Sequence, residues 1–266
     1  MRDRLALLCL VALLGCPGLA AAIEVDISGL QAVIADGDDS PVPSGLVVGA
    51  AAIGYTPRYK DADRRGIVVP GFVYFGERTL YLGDRVRYYF YRGDGVGLFA
   101  YGRVRFGNLD PEDTDAWHGM DQREWQFEAG LGTSLVTDYA LITARVSSDV
   151  TGTSNGQEGL LWADFPWVQG RLLLMPGFGV VWRSSNLANY YFGGVSQHEA
   201  APGRPAHDTG STISPMATLV TSYRINKEWL ASGIVGIEHY ASGTRDSPLI
   251  DRSNEITGIL ALGYVW

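Results

Sequence analysis

Ser196 and His198 lie two residues apart, and His207-Asp208 follows in the same Gly- and Pro-containing stretch. A serine hydroxyl activated by an imidazole, which a carboxylate in turn orients, is the arrangement of acyl-transfer catalysis. These four side chains share one long loop with no strand to fix their geometry, and a Ser-x-His pair arises often by chance. The remaining histidines are His118 and His239, and neither they nor Cys9 and Cys16 form a cluster with metal-ligand spacing. No Gly-rich turn leads into a helix to cradle a phosphate. The expectation is a protein without a catalytic residue, a metal or a cofactor.

A second group of charged residues follows a different rule. Arg85 and Arg87, then Arg103 and Arg105, recur at every second position of two neighbouring segments, while Glu124, Glu128, Glu158 and Glu238 come from others. Successive side chains of a strand point to opposite faces, so each set shares one face. If that face lines a narrow barrel, the charges meet across it, either as the selectivity lining of a small pore or as a plug of ion pairs. Buried ions are costly unless paired, and a wide conduit needs more strands than this chain can supply, which favours the plug.

The elements that must carry these residues read as strands. From Glu124 to Leu135 the odd positions are Trp125, Phe127, Ala129, Leu131, Thr133 and Leu135, against Gln126, Glu128, Gly130, Gly132 and Ser134. Val86, Tyr88 and Phe90 alternate with Arg85, Arg87, Tyr89 and Tyr91, and the segments from Val96 and from Trp229 behave alike. Seven further stretches are strand-like, giving eleven segments. Single-chain bacterial barrels use an even number of strands. The region from Thr79 to Tyr91 is long enough to hold an extra strand beside Gly83-Asp84, so twelve is expected, with ten the second choice. Pro166, Pro176 and Pro215 predict bulges or strand ends, because proline cannot donate to a ladder. Thr137-Asp138, Gln169-Gly170 and Asn226-Lys227 read as tight turns, whereas 108–123, 184–210 and 241–254 are long polar loops. The predicted fold is an all-β, single-chain transmembrane antiparallel barrel.

Composition and the termini agree. With 46% hydrophobic and 11% aromatic residues and 34 Gly, the mean hydropathy is close to neutral, as expected when lipid-facing and lumen-facing positions cancel. Arg2 and Arg4 precede the apolar run Leu5 to Leu14 and then Ala20-Ala21-Ala22, the order of a secretory signal peptide, with Ile23 as the expected first mature residue. Cleavage there removes both cysteines, so no disulfide is expected. Leu13-Leu14-Gly15-Cys16 offers the alternative of a lipidated Cys16. Residues 23–43 read as a flexible leader, with the acidic stretch Asp36 to Ser44 running to its end, and 44–266 as the barrel. Without the signal the net charge goes from −8 to about −9, which argues against a nucleic-acid partner. The last segment, Glu255 to Trp266, finishes on an aromatic, suited to a closing strand at a membrane boundary. The expected location is the outer membrane, with its lipid as the first partner.

Four motifs carry a resemblance. Gly49 to Tyr59 is a Gly-Ala-rich run into Gly54-Tyr55-Thr56-Pro57-Arg58-Tyr59. Trp117-His118-Gly119-Met120 is followed by Arg123 and Glu128-Ala129-Gly130. Tyr190-Tyr191-Phe192-Gly193-Gly194-Val195-Ser196 comes next, then Ser247-Pro248-Leu249-Ile250 before Gly258 and Gly263-Tyr264. In this order they resemble the MipA/OmpV family, the MltA-interacting outer-membrane proteins. The chain departs from the family at Lys60-Asp61-Ala62, where Glu-Gly-Ser is usual, in an expanded Tyr190-Tyr191 loop, and in Trp266 where Phe is commoner. The resemblance implies a non-enzymatic scaffold that brings a lytic transglycosylase together with a bifunctional penicillin-binding protein. The resemblance equally implies a small-molecule uptake barrel or adhesin, and the Arg/Glu lumen a narrow channel, as alternatives.

Overall fold

The computed structural model describes residues 29–30, 33–62, 66–107 and 109–266 of the chain. The expected signal segment, Cys16 included, lies outside them. The strands are β1 (Gly45–Tyr55), β2 (Gly66–Phe75), β3 (Thr79–Tyr81), β4 (Arg85–Gly93), β5 (Val96–Arg105), β6 (Gln126–Val136) and β7 (Leu141–Asp149), then β8 (Gln157–Asp164), β9 (Trp167–Gln169), β10 (Leu172–Arg183), β11 (Thr212–Arg224), β12 (Trp229–His239) and β13 (Asn254–Val265). Each pairs antiparallel with its neighbours, and β13 pairs with β1 from Val47↔Val265 to Tyr55↔Thr257, which closes the cylinder. β8 and β9 occupy one place in the wall, both lying against β10 and separated at Phe165-Pro166. The result is a twelve-strand antiparallel barrel. The extra strand lies in the predicted region, as β3.

Closure follows from backbone chemistry. A barrel pairs its ladder groups without leaving an edge, and this alone lets strands stand in hydrocarbon. Val68, Leu131, Val146, Leu161, Ile213 and Leu260 point outward and are exposed, while the alternate positions point in. Trp229, Tyr264 and Trp266 form an edge-to-face series at the end that carries the tight turns, as expected of an interfacial girdle.

The prolines sit where one side of the strand has no ladder partner. Pro166 interrupts β8/β9, Pro176 faces that interruption, and Pro215 lies beyond the last β12 pair at Met216. Pro176 and Pro215 therefore remain inside continuous strands, with neither the bulges nor the strand ends expected from the sequence. A true irregularity falls instead between Tyr89 and Tyr91. It turns Tyr91, expected to face inward with Arg87 and Tyr89, out to the exposed face.

Residues 33–44, within the stretch expected as a flexible leader, enter the barrel at the turn end. Val42 is 2% exposed and packs, with Leu30, against Val47, Phe75, Leu173, Met175, Val220 and Leu230. The Ser222 hydroxyl donates to the Pro41 carbonyl at 2.6 Å, and Arg171 Nε donates to Asp39 at 2.5 Å. The apolar residues Leu30, Val33, Ile34 and Val42 explain this: they are what a solvated tether would lack.

Candidate functional site

The inward face of β4 to β8 and β10 gathers the charges. Glu158 on β8 is the hub. Its Oε2 accepts from Arg105 at 2.6 Å and its Oε1 from Arg145 at 2.9 Å, with Arg103 at 3.8 Å and Arg183 at 3.7 Å. Arg105 also reaches Glu128 on β6, and Arg183 grips Glu238 on β12. Arg85 and Arg103 share Asp84, at 2.9 and 3.5 Å. Arg87 places its guanidinium 4.0 Å from the Phe99 ring, a cation–π contact that requires no carboxylate. All these side chains are buried. The arrangement fills this side of the lumen, with every ion except Arg87 facing opposite charge, as burial demands.

Among the expected lumen charges, Arg85, Arg87, Arg103, Arg105, Glu128 and Glu238 therefore face one another inside. Glu124 does not. It precedes β6 on an exposed turn, where its backbone is tied to the cap: Glu124 N donates to the Tyr190 hydroxyl at 2.9 Å and its carbonyl accepts from Tyr191 at 2.6 Å. Alternation continued past the strand's true start at Gln126 and assigned it inward. Arg145, Arg183 and Asp84 were missed. Arg145 was legible, since Leu141, Thr143, Arg145 and Ser147 alternate on β7; Arg183 and Asp84 stand at the ends of their segments, where periodicity has no power.

Above this layer the four motifs converge on one cap. Tyr59 packs edge-to-face on Trp117 at 6.0 Å, in a cluster with Met120, Val195, Tyr240, Leu249 and Ile250. The Tyr59 hydroxyl donates to the Tyr191 carbonyl at 2.8 Å, and Arg58 donates to Glu255 at 2.9 Å. Helix α1 (Ser185–Tyr191), capped by the Ser184 hydroxyl, aims Tyr191 and Phe192 down onto the lumen arginines; Phe192 lies under both Arg58, at 4.0 Å, and Arg183, at 3.8 Å. Ser247 donates to the Gly193 carbonyl at 2.5 Å, and a Cβ on Gly193, whose φ is +109°, would sit 2.8 Å from that serine's own Cβ. Arg123 donates to the Gly194 carbonyl at 3.3 Å. Gly119 takes φ +81° in the turn before Met120. Tyr55 closes β1, and Pro248 ends a tight turn after the short helix Ser242–Arg245. Burial pushes the Tyr59 phenol up, partly opposed by Arg123 and Arg58.

Glu199 anchors the rim of the cap. It is buried and accepts from Arg123 at 2.8 Å, from the Asp121 N–H at 3.0 Å, and from the Ser196 N–H and hydroxyl at 2.8 and 2.7 Å. Burial alone would raise its pKa, but the hydrogen bonds from Arg123 and Ser196 outweigh it and lower the carboxyl to about 2. His198 stands between Ser196 Oγ, 3.0 Å from Nδ1, and Asp121, 2.7 Å from Nε2. The serine proton is thus given to a weakly basic carboxylate, and His198 and Asp121 are two-thirds exposed. His207 contacts the Gly243 carbonyl, and Asp208 accepts from Asn189. The sequence paired His207 with Asp208; the structure binds each to a different partner and supplies Asp121 to His198 instead.

The closed wall, lipid-facing exterior, charged interior and loop cap define an outer-membrane β-barrel. The chain belongs to the MipA family, described as MltA-interacting protein MipA, whose family model matches residues 48–266. It is 28% identical to the MltA-interacting protein of Escherichia coli over 78% of this chain and 84% of that one. It is 26% identical to the outer membrane protein OmpV of Vibrio cholerae over 77% and 80%. Among solved structures it is similar to OmpT, an outer membrane protein of Vibrio cholerae, at 11% identity over 83% of this chain and 97% of that one, with a TM-score of 0.38. The protein lies in the outer membrane.

Proposed function

We propose that this barrel is a non-enzymatic platform that gathers murein enzymes beneath the outer membrane, with a lytic transglycosylase as one partner and a bifunctional penicillin-binding protein as the second. The observation that carries the reading is the obstructed interior. The Glu158 cluster fills one half of the lumen and residues 33–44 seat in its periplasmic mouth, leaving the barrel's surfaces for use. The name of the E. coli relative points the same way. The inserted leader presents Asp36, Asp38 and Asp39 at that mouth, exposed and next to the short turns. A basic patch on a partner would complement them and gain its encounter rate from the charge. Holding two enzymes on one barrel raises their effective concentration without adding chemistry.

Affinity capture of the folded barrel from detergent-solubilised membranes, blotted for both enzymes, tests this. Recovery of the transglycosylase, weakened in the Asp36→Asn/Asp38→Asn variant, is expected. Recovery of neither enzyme by a folded barrel overturns the reading.

A further inference from the structure

The wall has one incomplete seam. β2 pairs with β1 from Gly45↔Phe75 to Gly54↔Gly66, but on its other side it meets β3 only at Tyr74↔Tyr81 and Phe75↔Leu80. β3 is three residues long, and its hairpin with β4 turns at Leu82-Gly83-Asp84, well below the outer end of β2. Beyond it β5 continues, with Val104 N donating to the Asp84 carbonyl at 2.8 Å. From Ile67 to Val73, β2 has no ladder partner on this side among the described residues. Pro70, which has no N–H to offer, stands in the middle of that edge. The window is at membrane depth, since Val68, Leu260 and Leu262 on the adjoining outer surface are exposed apolar residues. Unpaired backbone at that depth is tolerated only where it lines a cavity or is covered by protein.

A cavity does lie behind it. Its volume is about 210 Å³, and its lining includes Val47, Ala51, Val69, Val73, Ile234 and Ala261, together with the hairpin tip Leu82-Gly83-Asp84. The lumen is therefore divided: Arg and Glu fill the half walled by β4 to β8 and β10, and aliphatic side chains line the half walled by β12, β13, β1 and β2. Several inward residues of the second half, Ala51, Ile234, Ile259 and Ala261 among them, are only half-buried, so no side chain among the described residues fills the space they surround. Apolar cavities stay dry and take up apolar guests: a cavity of roughly 150 Å³ lined by Leu, Ile and Phe holds benzene.

We propose that this half-lumen binds one small, uncharged, apolar molecule of about one substituted aromatic ring, admitted from the bilayer through the window between β2 and the β3–β4 hairpin. The lining offers no charge to a polar solute apart from Asp84 and Arg85 at the rim, which are paired with each other. The source is the membrane, because the window opens at lipid depth and the periplasmic end is occupied by Leu30 and Val42. This site does not depend on the platform reading, and either can fail alone.

The test uses 4-fluorotoluene and 19F NMR on the full barrel in lipid nanodiscs, with heat-modifiable gel mobility verifying that each variant is folded. The wild-type barrel should show a saturable bound resonance at one probe per barrel. Ala261→Phe, which fills the cavity from the β13 wall, should weaken binding at least tenfold, and Leu260→Ala on the lipid face should leave it unchanged. Folded wild-type barrel without a saturable bound resonance, or Ala261→Phe binding as tightly as wild type, overturns the site. For the route, Val73→Cys with Leu82→Cys lies one step beyond the Tyr74↔Tyr81 pair, and its disulfide would pin the seam. Probe exchange should slow at least tenfold on oxidation and recover on reduction; equal exchange in the disulfide-bonded and reduced forms overturns entry through the window.

Discussion

Arg105 on β5 donates to Glu158 on β8 at 2.6 Å, a contact made across two intervening strands. Neighbouring strands can place such partners side by side by register alone, but this pair ties together strands three places apart in the twelve-strand wall. Three more guanidiniums converge on the same carboxylate.

Removing that charge leaves its guanidiniums buried without their common acceptor. Glu158→Ala is expected to destabilise the folded barrel by about 3–5 kcal/mol, the cost of stranding one side of a buried ion pair. Denaturant unfolding in detergent, followed by tryptophan fluorescence, measures it; Arg145→Met with Glu158→Leu, which removes charge of both signs, should lose less.

The rim of the cap depends on an ionised Glu199. Its folded pKa of about 2 lies below the unfolded value of about 4.3, so its contribution is complete above the unfolded value and is lost as pH falls through the folded one. Protease resistance of the 184–211 loop should hold from pH 7 to about 4, decline below that, and be lost near pH 2. Glu199→Gln should remove that acid transition and loosen the loop at neutral pH. A loop in wild type that opens near pH 6 would contradict this.

The barrel was legible in the sequence because alternation survives wherever both faces have fixed tasks, lipid outside and ions inside. Arg85, Arg87, Arg103 and Arg105 were placed on one face by period alone, and the missing strand was located by the length of Thr79 to Tyr91. Alternation says nothing about where a strand stops, so Glu124 was counted inward although the ladder begins at Gln126. It also assumes unbroken register, which the irregularity after Tyr89 violates. The motif residues Tyr59, Met120, Tyr191, Val195 and Ser247 could be noticed individually, but their meeting in one cap depends on loop packing, which has no period. The seating of Val42 was hidden for a related reason, as acidic neighbours masked four well-spaced aliphatic residues.

Val42 holds the leader in the mouth at the turn end. Val42→Asp would bury a charge among Phe75, Leu173 and Leu230, at a cost of about 2 kcal/mol or more, which exceeds what a short segment can bear. The expected outcome is release of residues 33–44 with the barrel intact, read as new proteolytic cleavage in that segment. Unchanged cleavage would show that the contacts with Ser222 and Arg171 suffice.

Ser196, His198 and Asp121 resemble a relay, yet the Ser196 hydroxyl donates to Glu199. Ser196→Ala and His198→Ala are therefore expected to leave the lipid A profile of the membrane unchanged, as read by mass spectrometry. A shift in acylation in either variant would establish a hydrolase.

Single-channel recording in planar bilayers bears most directly on whether the interior is filled. Purified, folded barrel at neutral pH should produce no reproducible conductance steps, because Glu158 and its guanidiniums fill one half of the lumen and Leu30 and Val42 seat in the mouth below the other. Regular steps of one size from the wild-type protein would mean an open path, and the reading of this barrel as a platform would be wrong.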